Sequence, residues 1–346
     1  MGYFKNKVKD VRMGVENSMM KLSMMKRIVD TVDDNWNSPF AEEIAKLWGY
    51  DERTLKFFRA SANFLYIFQN KGQDYFLRFK SAEEKSEEKI KAEIKILNYL
   101  DKYLSNTVKA VKSLNNRYVE TVETELGTYH AVVFERLQGK QYEIEELNLD
   151  QYYKWGKALG ELHKNSNNIP TDITNRRNSW QNHIKFIDNN LPENETAAIK
   201  ELKEIEQWLK GLEITEQNYG LIHFDFELDN LVWNDGKINI LDFDDSANYW
   251  YVGDIAFALR DLFKNGVDLN NKYFKGFITG YESEHSLDRN ILSDLSWFMK
   301  LHNLFTFTKL LRTIDISNSG KYPEWLLKLR RKLTGVVNDY RNSFGL

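Results

Sequence analysis

The 346-residue chain contains no cysteine. That excludes disulfides, thiolate metal sites and a cysteine nucleophile, and it suits a reducing compartment. No run of about eighteen apolar residues occurs, so no membrane-spanning helix is expected. Lys5, Lys7, Lys9 and Asp10 open the chain without the apolar core of a signal peptide, and Asn6 stands where a myristoylation pattern starting at Gly2 needs Ser or Thr. The expectation is a soluble, cytoplasmic protein with no membrane partner. An excess of one charge is also missing: 48 basic and 51 acidic residues leave a net charge of −3. No basic field therefore argues for nucleic acid. His-Glu-x-x-His, Gly-x-Ser-x-Gly and a glycine loop ending in Gly-Lys-Ser/Thr are all absent, which disfavours a zinc site, a serine hydrolase elbow and a Walker-type nucleotide loop.

What is present is ordinary globular material, 42% hydrophobic and 29% charged. The length is large for one core and suggests two lobes. The densest chemistry lies in His223-Phe-Asp-Phe-Glu-Leu-Asp-Asn230, followed by Asp242-Phe-Asp244. Between them, Leu231 to Asn234 and Lys237 to Leu241 read as two short strands joined by Asp235-Gly236, the turn that right-twisted hairpins prefer. In that register Asn234 pairs with Lys237 and Leu231 with Ile240, so Asn230 and Asp242 emerge side by side at the open end. Magnesium takes hard oxygen ligands and only one or two from protein, and an Asn with an Asp suits it. Asp225 stands where it could accept the proton of an attacking hydroxyl, as in the protein-kinase catalytic loop.

This run resembles the His-x-Asp-x4-Asn loop and following Asp-Phe-x of the aminoglycoside phosphotransferase and choline kinase family, relatives of the protein kinases. The resemblance implies an α+β, two-lobed protein-kinase-like fold: a small N-terminal antiparallel sheet with one helix, then a larger, mainly helical C-terminal lobe. It implies Asp225 as catalytic base, Asn230 and Asp242 as magnesium ligands and His223 as the residue that orders the loop. The co-substrates would be ATP or GTP and a small-molecule hydroxyl acceptor. The expected layout is a helical extension over 1–37, a nucleotide-binding lobe over 38–138 and a catalytic, acceptor-binding lobe over 139–346.

Met19, Met20, Met24 and Met25 are spaced to line a helix face, most simply as packing. Pro39 to Gly49 reads as a short helix capped by Ser38. Phe64, Tyr66 and Phe68 then alternate, Asn70 to Gln73 turns and Tyr75 to Lys80 returns as a strand. That pair resembles the family's nucleotide-covering hairpin, with Ser61-Ala-Asn63 in place of a glycine-rich loop. On the returning strand the family carries a basic residue for the phosphates, usually Lys. Here Arg78 falls in that role, a departure because the guanidinium fork is larger and differently placed. Lys80, on the same strand face, is the alternative. Residues 81 to 104 read as a helix burying Ile90, Ile94, Leu97, Leu100 and Leu104, with Glu93 where the family has the Glu that pairs the strand cation. Strands follow over Arg117 to Glu125 and Thr128 to Glu135, and the resemblance makes Glu135 and Leu137 the hinge that meets adenine.

Leu149 to Lys164 forms a helix stripe, and His163 at its end reads as a cap. Asp254, in Val252-Gly-Asp254, is expected to cap a helix or brace the loop. The helices Leu287 to Thr313 and Glu324 to Tyr340 are where the family places its acceptor pocket, with Trp297, Phe298, His302, Phe305 and Phe307 facing either a ligand or the core. Glu227, Asp229, Asp244 and Asp245 would suit a cationic acceptor such as an amine-bearing sugar, or bond to local backbone. A protein kinase is disfavoured by Glu227, where Ser/Thr kinases place a Lys, and by the absence of an Ala-Pro-Glu segment. The alternative is a nucleotide-binding pseudokinase serving as an interaction module, for which Arg78 is the best support.

Overall fold

The computed structural model describes residues 20–104, 106–318 and 321–345. Met19 lies outside them. The remaining methionines belong to α1 (Leu22–Val29) and the residue pair ahead of it: Met20, Met24 and Met25 are buried with Leu22 and Ile28, so this face is core. α2 (Pro39–Ala45) starts as its sequence dictates, with the Ser38 hydroxyl accepting from the Ala41 N–H at 3.2 Å and Pro39 in the first turn.

The antiparallel sheet comprises β1 (Lys56–Ala60), β2 (Phe64–Asn70), β3 (Gln73–Ser81), β4 (Ala110–Val111), β5 (Glu120–Thr124) and β6 (Gly127–Glu135). Its spatial order is β1-β2-β3-β6-β4, with β5 also on β6. Alternation sends Phe64, Tyr66 and Phe68 inward, where Phe64 and Tyr66 stack on Phe79 at 5.2 and 5.6 Å. β1 has no counterpart in the sequence reading, because Lys56 and Arg59 break its apolar pattern. The consequence is a correction: Ser61-Ala-Asn63 forms the β1–β2 turn and does not belong to the β2–β3 hairpin. α3 (Glu87–Leu100) buries the expected stripe together with Glu93, but it begins at Glu87 and not near 81. Residues 82–86 stay non-helical and deliver Lys85 to the site.

Beyond the sheet the chain is mainly helical: α4 (Leu149–Ser166), α5 (Thr171–Thr174), α6 (Trp180–Asn190), α7 (Thr196–Gly211), α8 (Tyr251–Ala258), α9 (Lys272–Glu282), α10 (Leu295–Thr313) and α11 (Glu324–Ser343). The reading of one helix from Leu287 is corrected by a 3-10 segment over Arg289–Asp294 ahead of α10. Short strands β7 (Asn178–Ser179), β8 (Tyr219–Ile222) and β11 (Ala247–Trp250) form one small sheet, and β9 (Leu231–Asn234) pairs β10 (Lys237–Ile240). The β9–β10 register is Asn234 with Lys237 and Leu231 with Ile240. Asp235 and Gly236 both take positive φ, 48° and 78°, as a two-residue turn of this kind demands. The architecture is thus α+β and two-lobed, a small antiparallel sheet with α3 packed in front of a helical body, and with α2 also laid on the sheet through Phe40 against Phe79 and Tyr129. No described helix is long and apolar enough to cross a membrane.

Candidate active site

The β9–β10 hairpin delivers two of the acids and amides to one place. The Leu241 N–H donates to the Asn230 carbonyl at 2.8 Å, extending the ladder one pair past Leu231 and Ile240. Asp242 follows at φ 51°, a left-handed conformation uncommon for a residue with a side chain. Phe224, next to Asp225, also sits at φ 72°. Such outliers persist only where the surroundings hold them.

The surroundings here are explicit. Asp254, fully buried at the start of α8, accepts the His223 and Phe224 N–H groups at 2.8 Å each. The expected loop brace is therefore its role. His163 does not cap a helix end: α4 runs on to Ser166, and His163 is fully buried against Asp254 and the Tyr281 hydroxyl, at 3.0 and 2.8 Å. Burial pushes its pKa down. His223 lies 2.8 Å from the Leu241 carbonyl through Nε2 and accepts the Asp225 N–H at Nδ1 at 3.3 Å. A tautomer protonated at Nε2 meets both bonds, and it ties the Asp225 loop to the residue preceding Asp242.

Asn230 completes this half. Its amide nitrogen donates to the Asp225 carbonyl at 2.9 Å and to the Asp225 carboxylate at 2.8 Å. The amide oxygen takes part in neither bond. Burial pushes the Asp225 carboxyl above the usual carboxylate range, opposed first by Arg260. Arg260, in the turn two residues past α8, pairs with Glu227 and lies 3.6 Å from Asp225 Oδ1.

The other half descends from the sheet. Arg78 and Lys80 share a face of β3. Arg78 is buried and bridges Glu93 at 2.7 Å and Asp242 at 3.2 Å. Burial alone would lower its pKa, but Glu93, then Asp244 and Asp242, raise it. Lys80 pairs with Asp244 at 2.7 Å, and Lys85 holds the same carboxylate. Asn63 Nδ2 reaches Asp244 at 3.4 Å. Burial would raise the Asp244 pKa, yet Lys80, Lys85 and Arg78 hold it well below the ordinary value. Ser61 closes the β1–β2 turn through its N–H on the Asn63 carbonyl at 3.1 Å. Glu135 and Leu137 lie at the far end of β6 and the link after it, outside this network.

Residues not anticipated from sequence include Lys85, Lys309, Arg260 and Arg177. Arg177 is buried and donates to the carbonyls of Phe243, Asp244, Ser246 and Lys89, clamping the 242–246 segment. No local pattern could mark it, since its partners are about seventy residues or more away. Of the four acids in the acid-rich reading, Asp229 is exposed and the other three lie in ion pairs. Glu227 is paired with Arg260, Asp244 with Lys80 and Lys85, and Asp245 with Lys309 at 3.0 Å. These acids are compensated by cations, so they do not by themselves argue for a cationic acceptor. Of the α10 aromatics, Phe298 and Phe307 are fully buried core, and Trp297 stacks on Trp208 at 5.5 Å. His302 and Phe305 pack against Phe224, with centroids 6.4 and 5.5 Å away, as a wall behind the Asp225 loop.

A half-buried carboxylate bonded by an Asn, a second Asp on the adjoining loop, and a strand cation tethered to a helix Glu have the arrangement of a kinase-like phosphotransferase centre. The chain belongs to the phosphotransferase enzyme family, whose profile matches residues 54–287, and it is a phosphotransferase of the small-molecule kinase class. It is 23% identical over 311 residues to the amicoumacin kinase of Bacillus subtilis (strain 168), covering 87% of this chain and 91% of that one. An amicoumacin kinase solved with AMP-PNP, Ca2+ and Ami superposes with a TM-score of 0.76 at 21% identity, over 92% of this chain and 94% of that one. A microcompartment-associated aminopropanol kinase gives 0.64 at 22% identity, over 89% and 98%. A spectinomycin phosphotransferase with ADP and spectinomycin gives 0.59 at 16% identity, over 87% and 97%.

Proposed function

We propose that the protein transfers the γ-phosphoryl group of ATP or GTP to a hydroxyl of a small molecule. The observation that carries this reading is the double grip of Asn230 on Asp225, which holds in place the carboxylate we take as proton acceptor and leaves the amide oxygen out of both bonds. Asp225 takes the hydroxyl proton, and its raised pKa brings it closer to working pH. Asn230 and Asp242 fit magnesium, being two hard oxygen donors at the mouth of one hairpin, and the bound ion would neutralise phosphate charge. Arg78, kept in place by Glu93, and Lys80 meet the phosphates, beneath the Ser61–Asn63 turn. The backbone at Glu135 and Leu137 meets the nucleobase. His223 orders the loop. We take 38–138 as the nucleotide lobe and 139–346 as the catalytic and acceptor lobe, with 1–37 as an extension.

For the acceptor, the relatives named above point to hydroxyl-bearing compounds of the amicoumacin, aminopropanol and spectinomycin kind. Any acceptor cation would be met outside the compensated 242–245 run. The test is magnesium-dependent ADP release from ATP and GTP against those three compounds, other aminoglycosides, choline and homoserine. Asp225→Asn should cut acceptor-dependent release by roughly 10²–10⁴-fold while nucleotide still binds. Asp242→Ala should lose the magnesium-dependent part of nucleotide binding. Undiminished turnover in either variant removes the assignment. One contact favours a second reading, a nucleotide-binding pseudokinase: Arg78 already sits 3.2 Å from Asp242 Oδ1. Nucleotide binding with no release across the panel would support it.

A further inference from the structure

Glu227 poses a problem for the chemistry. Two residues after the catalytic Asp, Ser/Thr protein kinases place a Lys whose charge assists the transferred phosphoryl group, and here an acid stands in that position. The structure brings a cation to the same spot from another element. Arg260 leaves the turn after α8, pairs through Nη2 with Glu227 and holds Nη1 3.6 Å from Asp225 Oδ1. It is 9% exposed, so its charge acts at low effective dielectric. Arg78, Lys80, Lys85 and Lys309 are engaged with Glu93 or the 242–245 run. Arg260 is engaged on the loop of the base itself. α8 is also rigidly joined to that loop, since Asp254, six residues earlier, accepts its His223 and Phe224 N–H groups.

We infer that Arg260 supplies the phosphoryl-stabilising charge that protein kinases place on the catalytic loop, with Glu227 serving as its anchor. The inference rests on the reading of Asp225 as base. The acceptor oxygen forms its bond to the γ-phosphorus as the bond from that phosphorus to the bridging oxygen breaks. ADP leaves with the bonding electron pair, and the hydroxyl proton goes to Asp225. Arg260 takes no part in the proton transfer. An oxygen of Asp225 must touch the attacking hydroxyl, so a guanidinium beside that carboxylate lies at the edge of the group in flight. There it faces charge that develops on the equatorial oxygens.

The test needs no identified acceptor. Aluminium fluoride with Mg2+–ADP mimics the phosphoryl group in transit, whereas Mg2+–AMP-PNP mimics the ground state. Affinities for Mg2+–ADP, with and without aluminium fluoride, and for Mg2+–AMP-PNP are measured on the full chain. The wild-type protein should gain affinity from aluminium fluoride. Arg260→Met should lose about 10²-fold of that gain, the scale of one transition-state donor, while keeping AMP-PNP affinity. Two double variants separate charge from packing. Arg260→Met with Glu227→Gln removes the orphaned acid and should stay low; Arg260→Met with Glu227→Lys restores a cation at the site and should recover most of the gain. Should Arg260→Met fail to fold, these two carry the test, compared with each other. Full gain in Arg260→Met, or recovery in the Gln double variant, would mean that the pair is only structural and overturns the inference. So would a wild-type protein that binds nucleotide but gains nothing from aluminium fluoride. A protein that binds no nucleotide would instead remove the phosphotransferase reading, and this inference with it.

Discussion

At the scale of the residue, Asp254 carries more than its position in the chain suggests. Its two oxygens accept the N–H groups of His223 and Phe224 and meet His163, all inside the protein. The grip holds Phe224 at φ 72°, a strained conformation that aims the next residue, Asp225. Asp254→Ala orphans two buried N–H groups, each worth about 1–3 kcal/mol, so a loss of about 2–5 kcal/mol is expected in urea unfolding. Turnover should fall with it, because the loop relaxes. Asp254→Asn retains one oxygen acceptor and should fall between. A variant as stable as the parent would mean that the loop holds itself. His223, Asp225, Asn230 and Asp242 were legible in the sequence because their spacing is local and the Asp-Gly turn fixes it. His163 was misread as a cap because its partners lie 91 and 118 residues away. The ion pairs of Glu227, Asp244 and Asp245 were not legible for the same reason, since their cations arrive from β3, the link after it, the turn after α8, and α10.

At the scale of the element, the firmest contact between helices is a crossing made possible by missing side chains. A Cβ on Gly156 of α4 would lie 1.9 Å from the Phe277 carbonyl oxygen of α9, and one on Gly280 of α9 would lie 1.9 Å from that of Tyr153. Both obstacles are backbone, so no rotamer change relieves them. α4 also braces the 223–230 loop, through the Trp155 indole N–H on the Phe226 carbonyl at 3.2 Å. Ala in a helix is favoured over Gly by up to about 1 kcal/mol, but overpacking costs about 1–3 kcal/mol or more. Gly156→Ala and Gly280→Ala should therefore destabilise the protein, with a lower urea midpoint at unchanged slope. Gly335 in α11 is the control, having nothing within 4 Å of such a Cβ. There Gly→Ala should raise stability by about 0.5–1 kcal/mol. Apolar periodicity revealed α4, yet it is silent on which glycines are squeezed. It also hid β1, whose Lys56 and Arg59 interrupt the pattern that disclosed β2 and β3.

At the scale of the whole molecule, buried histidines set how the protein answers acid. Burial is the leading cause that lowers the pKa of His130, His163, His183, His285 and His302, with His183 down to about 3 and His302 well below its ordinary value. The unfolded chain takes up protons on these rings as pH falls through about 6.5, while the folded protein does not. Unfolding is then favoured by acid: the unfolded state binds more protons, so stability rises with pH across this window and is lost as pH falls. Carboxylates lowered by ion pairs add their share only at lower pH, near their own ordinary values. Asp225, Glu161, Glu201 and Asp294 are raised by burial and act in the opposite direction. Each ring that stays neutral contributes up to about 1.4 kcal/mol per pH unit. With His163, His183 and His302 the most deeply enclosed, a loss of about 2–4 kcal/mol is expected between pH 7.5 and 5.5, read by urea unfolding at constant ionic strength. His302→Leu should lower the slope by about one proton. A flat profile would mean that the rings charge in place. His183 and His302 also pack on Phe224, at 4.9 and 6.4 Å, and because both stay neutral in the fold the wall behind Asp225 keeps its packing across this window. Loss of turnover caused by these rings should therefore follow the unfolded fraction and not precede it.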